Sequence, residues 1–192
     1  MGTIATKQHY TPEDLLAMPD AVSYELVDGK LVERQSGWKS SCIGASVAVL
    51  LMTHCDAHGL GWVVGAAASY QCYPDAPNKV RKPDVSFVRL ERMPPGEEPE
   101  GHCRIAPDLA VEVTSPNELY DAIENKVEEY LMAGVRLIWV VHPSTRTVRV
   151  HRADGTLALL WEADELSGED VVPGFRCRVS ELFAVPVAGT AE

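Results

Sequence analysis

A glutamate stands in the middle of an apolar run near the centre of the chain. The run Leu109–Thr114 reads LAVEVT, and its apolar and β-branched residues predict a buried strand. Because burying an unpaired carboxylate is unfavourable by roughly several kcal/mol, Glu112 must be ion-paired, protonated or bound to a metal. Glu112 is therefore the first candidate for a chemical role.

A second carboxylate has the same setting on the preceding predicted strand. Strand side chains alternate between faces, so Asp84 shares a face with Ser86, while Val85 and Phe87 point the other way. If this strand lies beside that of Glu112, the two carboxylates cannot both stay ionised without a cation between them. A hard divalent ion such as Mg²⁺ meets that need, since it takes one or two carboxylates and keeps several waters.

The surrounding sequence predicts alternating strands and helices without internal repeats. Thr11-Pro12-Glu13-Asp14 is typical of a helix start, and Asp28-Gly29 and Asp154-Gly155 are typical of hairpin turns. The other predicted elements are helices Ile43–Asp56 and Asn117–Ala133, a loop at Met93–Gly101, and strands at Gly61–Tyr73, Asp84–Arg89, Leu109–Thr114, Leu137–Val141 and Phe175–Val179. Helices between strands, with hairpins at both ends, predict an α/β fold in which helices flank a mixed sheet.

Composition narrows the class of protein. The length of 192 residues suits one domain, and the five cysteines are scattered, with no C-x-x-C pair. Such cysteines argue against a disulfide framework and favour a reducing cytoplasm. The N-terminus lacks a signal-peptide core, and the longest apolar run, Ile43–Met52, is too short to span a bilayer. The net charge of −11 does not favour nucleic-acid binding, which depends on clustered Lys and Arg.

Several short motifs follow one another along the chain. They are YELVDG at Tyr24–Gly29, KPDV at Lys82–Val85, APDL at Ala106–Leu109, Glu112-Val113, Ser115-Pro116, and then Lys126, Tyr130, Gly134-Val135, Trp139 and Pro143. This series resembles the Uma-two type of restriction endonucleases, a branch of the PD-(D/E)XK nuclease superfamily, from about Thr11 to Phe183. The resemblance implies a restriction-endonuclease-like core with a mixed sheet of four or five strands. It also implies that Asp84 and Glu112 bind Mg²⁺ or Mn²⁺, that Glu25 assists, and that DNA is the substrate.

The sequence departs from this superfamily at two positions. The lysine expected two residues after the glutamate is replaced by Thr114, and the resemblance suggests that Lys126 on the following helix takes its place. On a helical wheel the residues Leu119, Ile123, Val127 and Tyr130 form an apolar stripe, and Lys126 falls at its edge, about sixty degrees from Ile123. From there its ammonium could reach the end of the sheet. The first long helix, near Trp38, also lacks the histidine with which this family often begins that helix.

Each candidate has a structural alternative. Asp84 and Glu112 could pair with Arg81, Lys82 or Arg104 at strand ends, Glu25 could lie on a solvated strand, and Lys126 could pair with Glu129 on the surface. His54 and His58 have the spacing of a helical metal pair, but Gly59 follows them, which favours a helix C-terminus instead. The arginines of two stripes could be solvated or could contact phosphates: Arg146, Arg149 and Arg152, and then Arg176 and Arg178.

These observations predict a metal-dependent endonuclease that hydrolyses phosphodiester bonds of DNA, with Lys126 stabilising charge on the phosphoryl oxygens. The alternative is a weakly active or inactive nuclease-fold protein that acts by binding, for example in a mobile-element or defence system. A metal-dependent hydrolase with another substrate is a third possibility. Because an acidic monomer engages DNA poorly, we also expect a homodimer, with contact surface from the strands Leu137–Val141 and Leu157–Trp161.

Overall fold

The computed structural model describes residues 9–35, 37–116 and 119–184. Its three α-helices are α1 (Pro12–Ala17), α2 (Trp38–His58) and α3 (Tyr120–Met132). Its strands are β1 (Tyr24–Val27), β2 (Lys30–Glu33), β3 (Gly61–Gly65), β4 (Val85–Arg89), β5 (Leu109–Val113), β6 (Leu137–His142), β7 (Thr147–Arg152), β8 (Leu157–Leu160), β9 (Glu165–Ser167) and β10 (Arg176–Arg178). Short 3₁₀ turns lie at Ala21–Ser23, Leu90–Arg92 and Val179–Phe183.

The N-terminal elements form as their local signals predict. Thr11 caps α1, because its hydroxyl accepts a hydrogen bond from the Asp14 amide while the Asp14 carboxylate accepts one from the Thr11 amide. The hairpin of β1 and β2 turns at Asp28 and Gly29, whose φ angles of 50° and 74° suit a tight hairpin turn. This hairpin carries Glu25 on β1.

A six-stranded mixed sheet forms the centre of the molecule, in the order β3-β4-β5-β6-β7-β8. All neighbours are antiparallel except β5 and β6, which run parallel and are joined through α3. A parallel pair needs a long crossover, and α3 supplies it. The α/β class is thus confirmed, and the sheet has six strands where the resemblance implied four or five.

The alternation predicted for β5 separates the two faces of the sheet. On one face, Val85, Phe87, Leu109, Val111 and Val113 pack with Ile43, Val47 and Leu51 of α2. On the other face, Ala110, Ile138 and Val140 pack with Ile123, Val127 and Tyr130 of α3. Glu112 therefore lies on the α3 side, where a helix can bring charged groups to it.

Several boundaries differ from the sequence prediction. The strand expected to reach Tyr73 ends at Gly65, although Tyr70 still makes single bridges to Arg81 and Cys103. The predicted strand near the C-terminus pairs with β9, which the sequence analysis did not predict. Leu119 is the N-cap residue of α3, and its side chain is exposed instead of joining the apolar stripe of the helix. Asn117, where that helix was expected to begin, lies outside the described residues.

Helix α2 is long and apolar enough to cross a membrane by length and composition alone. One of its sides carries Ile43, Val47, Leu51 and Cys55, which are buried against the sheet. This packing is that of a core helix in a globular fold. All five cysteines are free thiols in this structure.

Candidate active site

Glu112 is buried beneath α3 and has two hydrogen-bond donors. Its side chain is 4% exposed; Lys126 Nζ lies 3.0 Å from Oε2, and the Tyr130 hydroxyl donates to Oε1 at 2.6 Å. Burial raises the pKa of Glu112, the ammonium of Lys126 opposes that rise, and the charges of Asp84 and Glu25 add to it. The carboxylate is therefore held in surroundings that disfavour its charge.

Lys126 and Tyr130 reach Glu112 because they are four residues apart on α3 and so lie on one side of the helix. The Lys126 side chain is only 12% exposed, and its Nζ also lies 3.8 Å from Oε2 of Glu25. The alternative in which Lys126 pairs with Glu129 on the surface is wrong, since Glu129 binds Lys79 and Arg81. The lysine at the helix edge thus faces the sheet.

Glu25 is the second buried carboxylate of this cluster, with a side chain 2% exposed. Its Oε2 lies 2.9 Å from Nη1 of Arg81, and its Oε1 accepts a 2.8 Å hydrogen bond from the backbone amide of Lys82. Arg81 also donates from Nε to Glu129 at 2.6 Å. The solvated-strand alternative for Glu25 is therefore wrong, because β1 turns this side chain inward.

Asp84 lies one residue before β4 and is hydrogen-bonded to the two residues of β5 that flank Glu112. Its Oδ2 accepts a 2.8 Å hydrogen bond from the amide of Val113, and its own amide donates to the carbonyl of Val111. Its Oδ1 lies 3.0 Å from Nη2 of Arg34, so its cationic partner is not among the basic residues named from the sequence. With a side chain 25% exposed, Asp84 is the most accessible of the three carboxylates.

Three partners of the cluster escaped the sequence analysis as functional residues. Arg34 follows β2 and lies fifty positions from Asp84, Arg81 lies 56 positions from Glu25, and Tyr130 was taken only as an apolar helix residue. The buried carboxylates already indicated that cations must come from elsewhere in the chain. No local sequence pattern identifies Arg34 and Arg81 as the cations that pair with these carboxylates.

Two adjoining cavities open on the cluster. One, of about 470 Å³, is lined by Glu25, Arg34, Arg81 and Lys126, among others. The other, of about 330 Å³, is lined by Asp84 and Arg34 with Ser40, Ser41 and Gly44 of α2. Arg34 belongs to both cavities and lies between them.

The remaining sequence candidates lie away from the cluster or are bonded elsewhere. Thr114 donates to the carbonyl of Val141 on β6 at 3.4 Å. His58 Nδ1 contacts the His54 carbonyl at 2.8 Å and His54 Nε2 contacts the Pro173 carbonyl at 2.9 Å, as expected for a helix end. The stripe arginines form ion pairs with carboxylates or contact backbone: Arg146 with Glu162, Arg149 with Glu124, Arg152 with Glu169, Arg176 with Glu165, and Arg178 with the Ala163 carbonyl.

The donor set suits a hard divalent ion with few protein ligands. Within the described ranges, no group of three or more His, Cys, Asp and Glu side chains is arranged to hold a metal. Asp84 and Glu112 remain as oxygen donors, and the charge of Asp84 raises the pKa of Glu112. Mg²⁺ accepts one or two carboxylates with waters in the other positions, so these residues fit it.

Comparison with known proteins agrees with the fold. A structure described as a putative nuclease belonging to DUF820 from Anabaena variabilis superposes with a TM-score of 0.76 at 18% sequence identity, covering 90% of this chain and 97% of that one. A search of curated protein sequences finds no match. The family model Uma2, described as putative restriction endonuclease, matches residues 12–180. The chain therefore belongs to the Uma2 family of putative restriction endonucleases.

Proposed function

We propose that the protein is a Mg²⁺- or Mn²⁺-dependent endonuclease that hydrolyses phosphodiester bonds of DNA. The observation that carries the proposal is the position of Lys126, whose ammonium lies 3.0 Å from the buried Glu112 and 3.8 Å from Glu25. A lysine beside the proposed metal ligand can stabilise the negative charge that develops on the phosphoryl oxygens during hydrolysis. Membership of a nuclease family supports a nucleic acid as the substrate.

The residues of the cluster would have separate roles in the proposed reaction. Asp84 and Glu112 would hold the ion, and the hydroxyl of Tyr130 fixes the orientation of Glu112 through its 2.6 Å hydrogen bond. Glu25 contacts Arg81 and lies near Lys126, so it would help to position both cations. Lys126 Nζ would donate to a non-bridging phosphate oxygen as the phosphorus is attacked. The bound ion would supply charge neutralisation and lower the pKa of the attacking water.

The distribution of charge supports a second candidate, a protein that binds nucleic acid or another partner with little or no catalysis. The chain carries a net charge of −11, and four arginines of the two predicted basic stripes are ion-paired with carboxylates. Phosphate affinity depends on cations that are available to replace counterions. Binding would then rest on the few cations around the two cavities.

Two measurements on the full chain separate these candidates. Thermal unfolding with rising Mn²⁺ or Mg²⁺ should show stabilisation that grows with ion concentration, because the ion binds only the folded state. Plasmid DNA should be nicked in the presence of the ion and not in EDTA. Binding of the ion without nicking would support the second candidate, and absence of binding would contradict the metal-dependent endonuclease.

The variant Asp84→Ala tests the assignment of the site. It should lose most of its ion-dependent stabilisation and nearly all cleavage, since the ion loses one of its two carboxylates. Asp154→Ala is the matched control, because Asp154 lies in the exposed turn between β7 and β8 and accepts hydrogen bonds from Thr156 in the same turn. Full Mg²⁺-dependent cleavage by Asp84→Ala would falsify the assignment.

A further inference from the structure

Arg34 contacts the carboxylate to which the proposed function assigns a metal ion. Its Nη2 lies 3.0 Å from Oδ1 of Asp84, and its Nη1 donates a 2.9 Å hydrogen bond to the carbonyl of Ala66. The side chain is only 13% exposed, and it forms part of the wall of both cavities. The guanidinium therefore lies where an ion entering from either cavity would approach Asp84.

The two oxygens of Asp84 have different partners. Oδ2 accepts a hydrogen bond from the Val113 amide, an internal contact between neighbouring strands that an ion at Oδ1 need not disturb. Oδ1 is ion-paired with Arg34. A guanidinium and a divalent ion at the same oxygen repel each other, and both are only partly screened by solvent at this depth. Binding of an ion at Oδ1 therefore requires that Arg34 move away.

Lys126 differs from Arg34 in having a second carboxylate nearby when its first contact is broken. Its ammonium lies near two carboxylates, 3.0 Å from Glu112 and 3.8 Å from Glu25, so a shift away from Glu112 leaves it a partner. Among the described residues, Arg34 contacts the carboxylate of Asp84 and the carbonyl of Ala66. Its hydrogen bond to Ala66 keeps the guanidinium at the cavity wall when the contact with Asp84 breaks, and its charge then still opposes the ion.

We propose that Arg34 is a cationic latch on Asp84, which neutralises this carboxylate in the metal-free protein and must be displaced before a divalent ion binds. The inference rests on the proposed function, since it presumes that Asp84 is a metal ligand. The latch stabilises the metal-free protein, because the positive charge of Arg34 offsets the repulsion between the carboxylates of Asp84 and Glu112. In exchange, it weakens the affinity of the site for the ion.

The test is a Mn²⁺ titration of the full chain by isothermal calorimetry, with thermal unfolding in EDTA as a second readout. Arg34→Gln should bind Mn²⁺ about fivefold more tightly than the parent, the size expected when a competing, partly exposed ion pair is removed. Its unfolding midpoint in EDTA should be lower, because the ion pair between Arg34 and Asp84 is lost. A purely structural role for Arg34 would lower the midpoint without tightening the binding of Mn²⁺.

Arg152→Gln is the control for the loss of one positive charge. Arg152 pairs with Glu169 at 2.7 Å and lies opposite Leu137, at the end of β6 remote from Glu112, so its substitution should leave the Mn²⁺ affinity unchanged. If Arg34→Gln does not fold, Arg34→Met keeps the apolar stem and carries the same expectation. Parent-like or weaker Mn²⁺ binding by the folded variant overturns the latch and leaves the proposed function standing. No Mn²⁺ binding by the parent overturns the proposed function itself.

Discussion

At the scale of the residue, the site places a carboxyl group where burial opposes its charge. Glu112 has a raised pKa, caused first by burial and then by the charges of Asp84 and Glu25, in spite of Lys126. A carboxyl group whose pKa is higher in the folded than in the unfolded state stabilises the fold only while it is protonated. That contribution is complete below the unfolded pKa and is lost as the pH rises through the folded pKa. At neutral pH, Glu112 therefore lowers the stability of the metal-free protein.

Replacement of Glu112 by glutamine should show directly how much stability this buried carboxyl group costs the metal-free protein. Glu112→Gln keeps the shape, and its amide can still accept from Lys126 and donate to the hydroxyl of Tyr130. We expect the free energy of unfolding in EDTA at pH 7 to rise by about 1 kcal/mol, as is common when a functional group is removed from a strained site. Cleavage should be lost.

The pH dependence separates this effect from a general change in packing. Urea unfolding of parent and Glu112→Gln should give a stability difference that grows in favour of the variant as the pH rises from about 4.5 toward neutrality. A variant that is less stable than the parent across this range would show that Lys126 and Tyr130 fully compensate the charge of Glu112.

Lys126 tests the chemistry, because it is the residue proposed to supply the charge of the lysine that Thr114 replaces. Lys126→Ala should lose about two to four orders of magnitude in cleavage, the size expected when a preorganised charge at the reacting phosphate is deleted. Ion binding should persist, since lysine is not a ligand. Lys126→Arg should not restore full activity, because a planar fork cannot take the place of a compact ammonium between two carboxylates.

Lys30→Ala is the control for this substitution, since Lys30 is exposed at the end of the β1–β2 hairpin. Single-turnover cleavage at saturating Mg²⁺ is the measurement, with circular dichroism to confirm folding. Cleavage by Lys126→Ala at the rate of the parent would mean that its pairing with Glu112 serves stability alone, and Lys82 would be the next residue to test.

At the scale of the element, α3 is both the crossover between parallel strands and the carrier of the site's donors. It presents Lys126 and Tyr130 to Glu112 on β5, and Glu129 to Arg81 and Lys79 on the segment before β4. Arg81 in turn holds Glu25 on β1. Ion pairs thus connect α3, the segment before β4 and β1, which are distant in sequence. A substitution on α3 should therefore affect the position of Glu25 on β1.

Glu129 is the residue that tests this coupling. Although burial raises its pKa, the hydrogen bonds and charges of Arg81 and Lys79 outweigh burial and lower it. Its contribution to stability is therefore present above the unfolded pKa and is lost as the pH falls through the lowered folded pKa. Glu129→Gln should cost about 2–4 kcal/mol at pH 7, as expected when one partner of a buried ion pair is removed, and less at acidic pH.

Denaturant unfolding at several pH values measures the cost of Glu129→Gln, and Glu128→Gln on the exposed side of α3 is its control. Cleavage should also fall, because Arg81 then loses one of its two carboxylates and no longer holds Glu25 as firmly. A cost that is equal for the two variants would show that the ion pairs of Glu129 do not connect α3 to the strands.

The elements were more predictable from sequence than the contacts between them. The alternation in LAVEVT placed Glu112 correctly opposite Val111 and Val113, and the helical period placed Lys126 at the border of a stripe that is indeed buried at Ile123 and Val127. These signals are local. The pairing of Arg34 with Asp84 depends on how the first hairpin docks on the sheet, fifty residues away, and no periodicity encodes it. The strand β9 was missed because three residues are too few to show alternation.

At the scale of the whole molecule, the edge strand β8 of the central sheet carries exposed apolar side chains. β6 is buried between β5 and β7, so the expectation that Leu137–Val141 would supply contact surface is wrong. β8 pairs with β7 alone in the sheet, and Leu157 and Leu159 on it, together with Trp161 just after it, are 58%, 47% and 58% exposed. An edge strand with exposed apolar side chains is a template for pairing with another strand. This edge is therefore the surface on which the predicted homodimer should form.

Light scattering during size-exclusion chromatography at micromolar concentration tests whether the chain forms the expected homodimer. The parent should elute with the mass of two chains, because a twofold pairing of β8 with its copy would cover Leu159 and Trp161 in both. Leu159→Lys should shift the mass to that of one chain, since a charge at the centre of an edge strand opposes strand pairing. Met132→Lys, which also adds a charge at an exposed apolar position but at the end of α3, should stay dimeric. A parent that is monomeric under these conditions would leave the acidic chain to engage DNA with the cations of a single site, and would favour the binding of short or weakly held substrates.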